Sequence, residues 1–179
     1  MTSLSRRHAA IAGALFLLAS CGREKPALRA EYQVGEKVPL GTLTYTVTES
    51  AWKSQLGDAG RSRYPEQRFL VVALNIQNTG SAEATVPPLV IVGSSNREFK
   101  ELQNGEGVER WLGLIRSIGP GQSAEGSVLF DAPLGTYRLK LAETSDTGED
   151  RHTFVTIPAR IDIEQPLLPT LTPPGQPIK

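Results

Sequence analysis

Apolar residues in this chain gather in short runs, often alternating with polar ones, and the runs are separated by glycine- and proline-containing turns. Leu43-Thr44-Tyr45-Thr46-Val47-Thr48 has period two, with Leu43, Tyr45 and Val47 on one side and threonines on the other. Phe69 to Ile76 is apolar on both faces, which predicts a central strand with cover on each side. Thr85 to Val92 is a further apolar stretch that Pro87-Pro88 limits to an edge or a bend. Arg97 to Leu102 predicts a short strand, and Trp111 to Ile118 is another apolar segment. Ser123 to Phe130 alternates, as does Tyr137 to Leu141 with Tyr137, Leu139 and Leu141 inward; His152 to Ile157 can close the sheet. Asn78-Thr79-Gly80-Ser81, Gly119-Pro120-Gly121 and Ala132-Pro133-Leu134-Gly135 are turns. Seven to nine strands without an amphipathic helix predict an all-β sandwich over residues 38–160.

The N-terminus breaks this pattern. Arg6 and Arg7 sit in a short basic stretch, Ala9 to Leu18 is apolar apart from Gly13, and Ala19-Ser20-Cys21 follows. That order describes a secretory signal over residues 1–20, and the apolar run is about half of what a membrane-spanning helix needs. Leu18-Ala19-Ser20-Cys21 resembles the lipobox of bacterial lipoproteins. The resemblance implies cleavage before Cys21 and acyl chains on that residue, where a thiolate is the effective nucleophile and two or three chains anchor firmly. A plain signal with an incidental cysteine is the alternative. The Arg6-Arg7 pair also raises twin-arginine export, but His8-Ala9-Ala10 lacks the bulky apolar residues expected after it, so the ordinary secretory route is preferred. Residues 21–37 read as a polar tether leading into a first edge strand, long enough when stretched to hold a domain roughly 50 Å from a bilayer.

Composition narrows the chemistry. Cys21 is the single cysteine, so a lipidated chain has no thiol for a disulfide, metal site or nucleophile. The formal net charge is zero, which gives no basic surplus for nucleic acid. The one methionine is the initiator and His152 is the one histidine beyond the leader, which excludes a soft copper site. Five prolines fall after Glu164, and residues 161–179 are expected to form an extended or disordered tail: a spacer, or a segment that docks to an aromatic groove.

A second resemblance rests on Leu43-Thr44-Tyr45-Thr46-Val47, the run RFLVVALNIQNTGS from Arg68 to Ser81, IGPGQS from Ile118 and GSVLFDAP from Gly126. Together these resemble the telokin-like, Ig-like domain of unknown function (type 4352) found in many bacterial lipoproteins, over roughly residues 30 to 158. The resemblance implies an Ig-like sandwich. With no Cys…Trp…Cys pattern it is Ig-like in architecture only. Its motifs name no catalytic residue.

Candidate sites lie among the remaining polar and aromatic residues. His152 with Asp150 lacks a Gly-x-Ser-x-Gly elbow to supply a nucleophile and reads as a strand-edge histidine. Asp146, Glu149 and Asp150 could offer oxygens to a hard cation, but the run lacks EF-hand spacing and reads as a solvated hairpin loop. The loop from Lys53 to Gln67, with Trp52, Arg61, Arg63 and Tyr64, could grip a partner protein, a glycan or an anionic lipid headgroup. Trp111 could add a second aromatic beside it. The expectation is a cofactor-free, non-catalytic envelope lipoprotein held by Cys21. It would sit on the periplasmic side of an outer membrane, or on the outer face of the plasma membrane where no outer membrane exists. Its role would be protein binding or assembly through loops or sheet edges; small-ligand binding and catalysis are the alternatives.

Overall fold

The computed structural model describes residues 27–58, 60–143 and 151–160. The expected signal over residues 1–20, Cys21, the acidic run Asp146 to Asp150 and the segment from residue 161 onward lie outside the described residues. The described strands are β1 (Glu31–Gln33), β2 (Lys37–Leu40), β3 (Leu43–Lys53), β4 (Phe69–Asn78), β5 (Ala84–Thr85), β6 (Val90–Val92), β7 (Glu98–Lys100), β8 (Ser117–Ile118), β9 (Ser123–Asp131), β10 (Tyr137–Glu143) and β11 (Arg151–Ile157). One sheet has the order β1-β11-β10-β6-β7 and the other β2-β3-β4-β9, while β5 and β8 form a small ribbon. The two sheets face each other as a sandwich. Eleven strands exceed the seven to nine expected because β1, β5 and β8 are only two or three residues long, too short to carry a period. Strand β1 falls inside the 21–37 segment, and its Tyr32 is buried, so the folded domain begins before residue 38.

Alternation builds the core. Leu70, Val72, Leu74 and Ile76 of β4 meet Leu139 and Leu141 of β10, Val155 and Ile157 of β11, and Val128 and Phe130 of β9 in one buried cluster. The expectation of cover on both faces of β4 holds at one end only. There Phe69 packs outward with Leu56 and Leu129, flanked by Val71, Leu102 and Val108 in a second, smaller cluster. Further along, Ala73 and Asn75 are half-buried.

A bulge reshapes β3. Leu43, Tyr45 and Val47 point inward, and then the register against β4 shifts between Val47 and Glu49. The extra residue moves inward-facing positions from odd to even numbers, so Trp52 enters the core. Strict alternation places Trp52 with the exposed loop. Instead it is 7% exposed and its ring lies 5.8 Å from that of Tyr137.

Two buried polar devices shape the connections. Asn78 donates from Nδ2 to the carbonyls of Ala82 and Ile118, both at 2.7 Å, while its Oδ1 accepts from the Gly80 amide at 2.9 Å. Both donors of that side-chain amide and one of its two acceptor positions are therefore used. Glu101 and Arg116 form an ion pair at 2.6 Å with side chains 3% and 2% exposed. Glu101 also accepts from the Leu89 amide at 3.2 Å, and Arg116 Nε donates to the Gly113 carbonyl at 2.5 Å. The pair ties both ends of the long 101–116 excursion to the sandwich.

The sandwich has two distinct ends. The chain arrives beside the start of β11, where Thr153 Oγ1 donates to the Arg29 carbonyl at 2.7 Å. The turns after β2, β4 and β8 share that end, since Leu40 pairs with Leu43 and Leu43 with Asn78. The opposite end carries the 54–68 loop and the 132–136 turn, because Lys53 pairs with Phe69 and Phe69 with Asp131.

Candidate functional site

The 54–68 loop is fixed at three points. Leu56 and Arg63 exchange backbone hydrogen bonds at 2.9 and 2.8 Å, closing a small hairpin whose Leu56 side chain is buried against Phe69. Asp131 accepts the Glu66 and Gln67 amides at 2.7 and 2.9 Å, holding the return into β4. Arg63 Nη1 donates to the Asn104 carbonyl at 2.7 Å, and its guanidinium lies 5.2 Å from the Phe69 ring centroid. A charge bound in this way joins two loops and covers an apolar ring.

The second loop, 103–108, packs directly onto the first. Gly107 has φ +81°, and a Cβ there would come within 2.8 Å of the Gly57 amide nitrogen, so only glycine permits this approach. Between the loops lies a cleft of about 150 Å³ lined by Asp58, Arg61, Arg63 and Glu106. Two cationic and two anionic side chains give it a mixed polar lining. Its volume is below the roughly 300–1,000 Å³ of pockets that enclose a small organic ligand.

The predicted loop residues separate accordingly. Arg61 is exposed at the cleft, Arg63 is half-buried as a strut, Tyr64 is 70% exposed beside it, and Trp52 belongs to the core. Trp111 is half-buried and lies behind the second loop, with the Gly105 backbone against its indole. Asp58 and Glu106, which complete the cleft, carried no sequence signal beyond their loop positions. Glu101 and Arg116 were missed as well, although a lone arginine inside the apolar Trp111–Ile118 segment was a usable clue.

Other candidates resolve simply. His152 is exposed on the outer face of β11, edge-on to Phe154 at 5.5 Å. Asp146, Glu149 and Asp150 lie outside the described residues, among which no group of three potential metal-ligating His, Cys, Asp or Glu side chains occurs. Of the sheet edges, the other expected contact surface, those of β2 and β9 are short or covered, whereas among the described residues β3 has no strand on its outer side from Glu49 to Lys53. Pro39 removes a donor from β2, and the outer edge of β9 is occupied where Ser127 exchanges hydrogen bonds with Arg110 and Leu112 and Leu129 accepts from Leu102.

Two facing sheets, a buried asparagine that ties down the turn after the central strand and a loop-built polar cleft define an Ig-like β-sandwich whose exposed chemistry sits in its loops. The chain belongs to the family named domain of unknown function (DUF4352), whose model matches residues 32–152. Among solved structures it is similar to the yjhA protein of Bacillus subtilis, with 14% identity and TM-score 0.52 over 69% of this chain and 98% of that one. It is also similar to ycdA, a candidate lipoprotein of the same species, with 15% identity and TM-score 0.52 over 69% of this chain. The chain spans 38% of the length of ycdA. A functionally unknown protein from Listeria monocytogenes matches with 8% identity and TM-score 0.50, over 70% of this chain and 82% of that one. At these identities the similarities define the fold alone. No curated protein matches the chain.

Proposed function

We propose that this protein is a non-catalytic lipoprotein of the bacterial envelope, anchored through acyl chains on Cys21, that binds an envelope protein through the loop end of its sandwich. The observation that carries this reading is polarity along the domain. The chain arrives at one end, beside Arg29 and Thr153, and the Arg61–Tyr64 loop lies at the other. An anchor preceding Arg29 therefore leaves this loop end available to a partner above the membrane. The lipobox and the similarity to the candidate lipoprotein ycdA support the anchor. The shallow cleft and the exposed Tyr64 suit a protein surface better than an enclosed glycan or headgroup.

Two variants test the reading. Cys21→Ser should abolish acyl labelling and leave an unprocessed precursor; a variant still cleaved and lipidated refutes the anchor. Cross-linked capture of the wild-type chain should recover a stoichiometric envelope partner that is lost from Arg61→Ala/Tyr64→Ala at unchanged thermal stability. Capture indifferent to both substitutions refutes the loop as the binding surface.

A further inference from the structure

Strand β3 is eleven residues long, but its outer neighbour β2 pairs only with Leu43 to Thr46. The Gly35 amide then donates to the Val47 carbonyl at 2.8 Å. Among the described residues, no strand pairs with β3 on this side from Glu49 to Lys53. The backbone groups left open there are fixed by β4. The Thr79 amide donates to the Thr42 carbonyl, and the Asn78 amide donates to the Gln122 carbonyl on the side of β9. Hydrogen bonds alternate sides along a strand, so the odd-numbered residues of β4 bond to β3 and the even-numbered ones to β9. Phe69, Val71 and Ala73 stand opposite Lys53, Ala51 and Glu49. The N–H and C=O groups of Ser50 and Trp52 therefore point away from β4, into the open edge.

The side chains alternate the other way. Trp52 turns into the core and Ser50 shares its face, which leaves Glu49, Ala51 and Lys53 on the outer face of the sheet. Glu49 and Lys53 stand about 13 Å apart along the strand, too far to pair with each other. Among the described residues neither has an ion-pair partner. A charge of one sign on an open edge keeps a second edge away. Here opposite charges flank Ala51 symmetrically, so the edge complements itself when reversed.

We infer that two copies of this chain join through this stretch of β3, antiparallel, about a two-fold axis at Ala51. Ser50 of each copy exchanges hydrogen bonds with Trp52 of the other, which uses every open group named above. Glu49 lies opposite Lys53 in the closer, non-hydrogen-bonded pairing, where opposite charges attract. A shift of two residues either way sets Ala51 opposite a charge and loses both ion pairs. The groove of about 420 Å³ beside Glu49 and Ser50 gives the incoming strand room, and its polar lining, with Gln33, Thr48 and Thr156, suits the lysine that strand brings. Such a contact uses the same patch on both copies and closes at two. It rests on the β3 edge alone and requires neither the acyl anchor nor the loop-end partner, so it can fail while that reading stands.

Cross-linking of the full chain in detergent tests it. Facing Ala51 residues in such a pair lie about 4.5 Å apart at Cα, within reach of a disulfide. On mild oxidation Ala51→Cys should give a linked dimer at least tenfold faster than Ser95→Cys, a control in an exposed turn that shares any linkage through Cys21. Adding Glu49→Lys or Lys53→Glu to Ala51→Cys should slow the linkage at least tenfold, because each reversal sets like charges face to face. Mixing the two reversed chains should restore the rate, since every facing pair is again opposite in sign. Linkage of Ala51→Cys no faster than the control overturns the inference, as does a mixture no faster than either reversed chain alone. Should Ala51→Cys lower the melting midpoint, sedimentation provides the comparison: a dimer for the wild type and a monomer for Glu49→Lys support the inference, and equal masses overturn it.

Discussion

Replacing Glu101 with alanine should be among the most damaging single changes available in the described domain. In the native protein its carboxylate holds Arg116 at 2.6 Å, and both side chains are almost fully buried. Removing the carboxylate leaves a guanidinium that cannot lose its proton and whose Nη1 already lacks a hydrogen-bond partner. The Leu89 amide also loses its acceptor on the side chain. Breaking a buried ion pair from one side costs about 3–5 kcal/mol, a large share of the roughly 5–15 kcal/mol that keeps a domain folded. At about 2–4 °C per kcal/mol for a chain of this size, the melting midpoint should fall by roughly 10 °C. Calorimetry and urea titration of Glu101→Ala measure the loss. The double variant Glu101→Leu/Arg116→Met should recover most of it, because removing both charges also removes their desolvation cost. A loss below about 1 kcal/mol for the single variant, or a double variant as unstable as the sum of the two singles, refutes the assignment of the pair as a buried clamp.

Two further outcomes are expected of the aromatic residues Tyr45 and Trp111. Burial pushes the Tyr45 hydroxyl from 10.0 up to about 12, against an opposing effect of Arg116. The folded state thus favours the neutral phenol: stability is unaffected below about pH 10 and falls by about 3 kcal/mol as pH rises from 10 to 12. Denaturation across that window should show a weaker slope in Tyr45→Phe; an identical slope refutes the origin in Tyr45. Gly105→Ala should force the indole of Trp111 away from the loop backbone, giving a red-shifted tryptophan emission and loosening the cleft wall at Glu106. Unchanged emission would show that the loop absorbs the added methyl without moving the ring.

Long, regularly alternating strands were legible in the sequence, and the irregular ones were not. The runs that became β4, β9 and β10 announced themselves by composition and period, and Asn78-Thr79-Gly80-Ser81 by turn chemistry. Trp52 was misplaced because strict alternation from Leu43 points it outward, and only the bulge after Val47 reverses that. The apolar Trp111–Ile118 segment misled differently. It supplies the two-residue β8, but Ile115 is 94% exposed, because this chain follows the path set by Arg116 and Gly113 rather than a strand period. The Arg61–Tyr64 loop was visible as a polar stretch between strands. The glycine-containing polar stretch Gln103 to Val108 was legible as a loop too, but its contact with the first loop was not, because that depends on the close approach of Gly107 to Gly57, which is non-local.

The terminal strands β1 and β11 are parallel neighbours, with Glu31, Tyr32 and Gln33 opposite Phe154, Val155 and Thr156. Tension drawn between the two ends of the chain would pull these strands past one another along their length. Their cross-strand bonds would then share the load together rather than opening one after another. Such an arrangement resists shear, because several bonds must break at once before the two strands can slide.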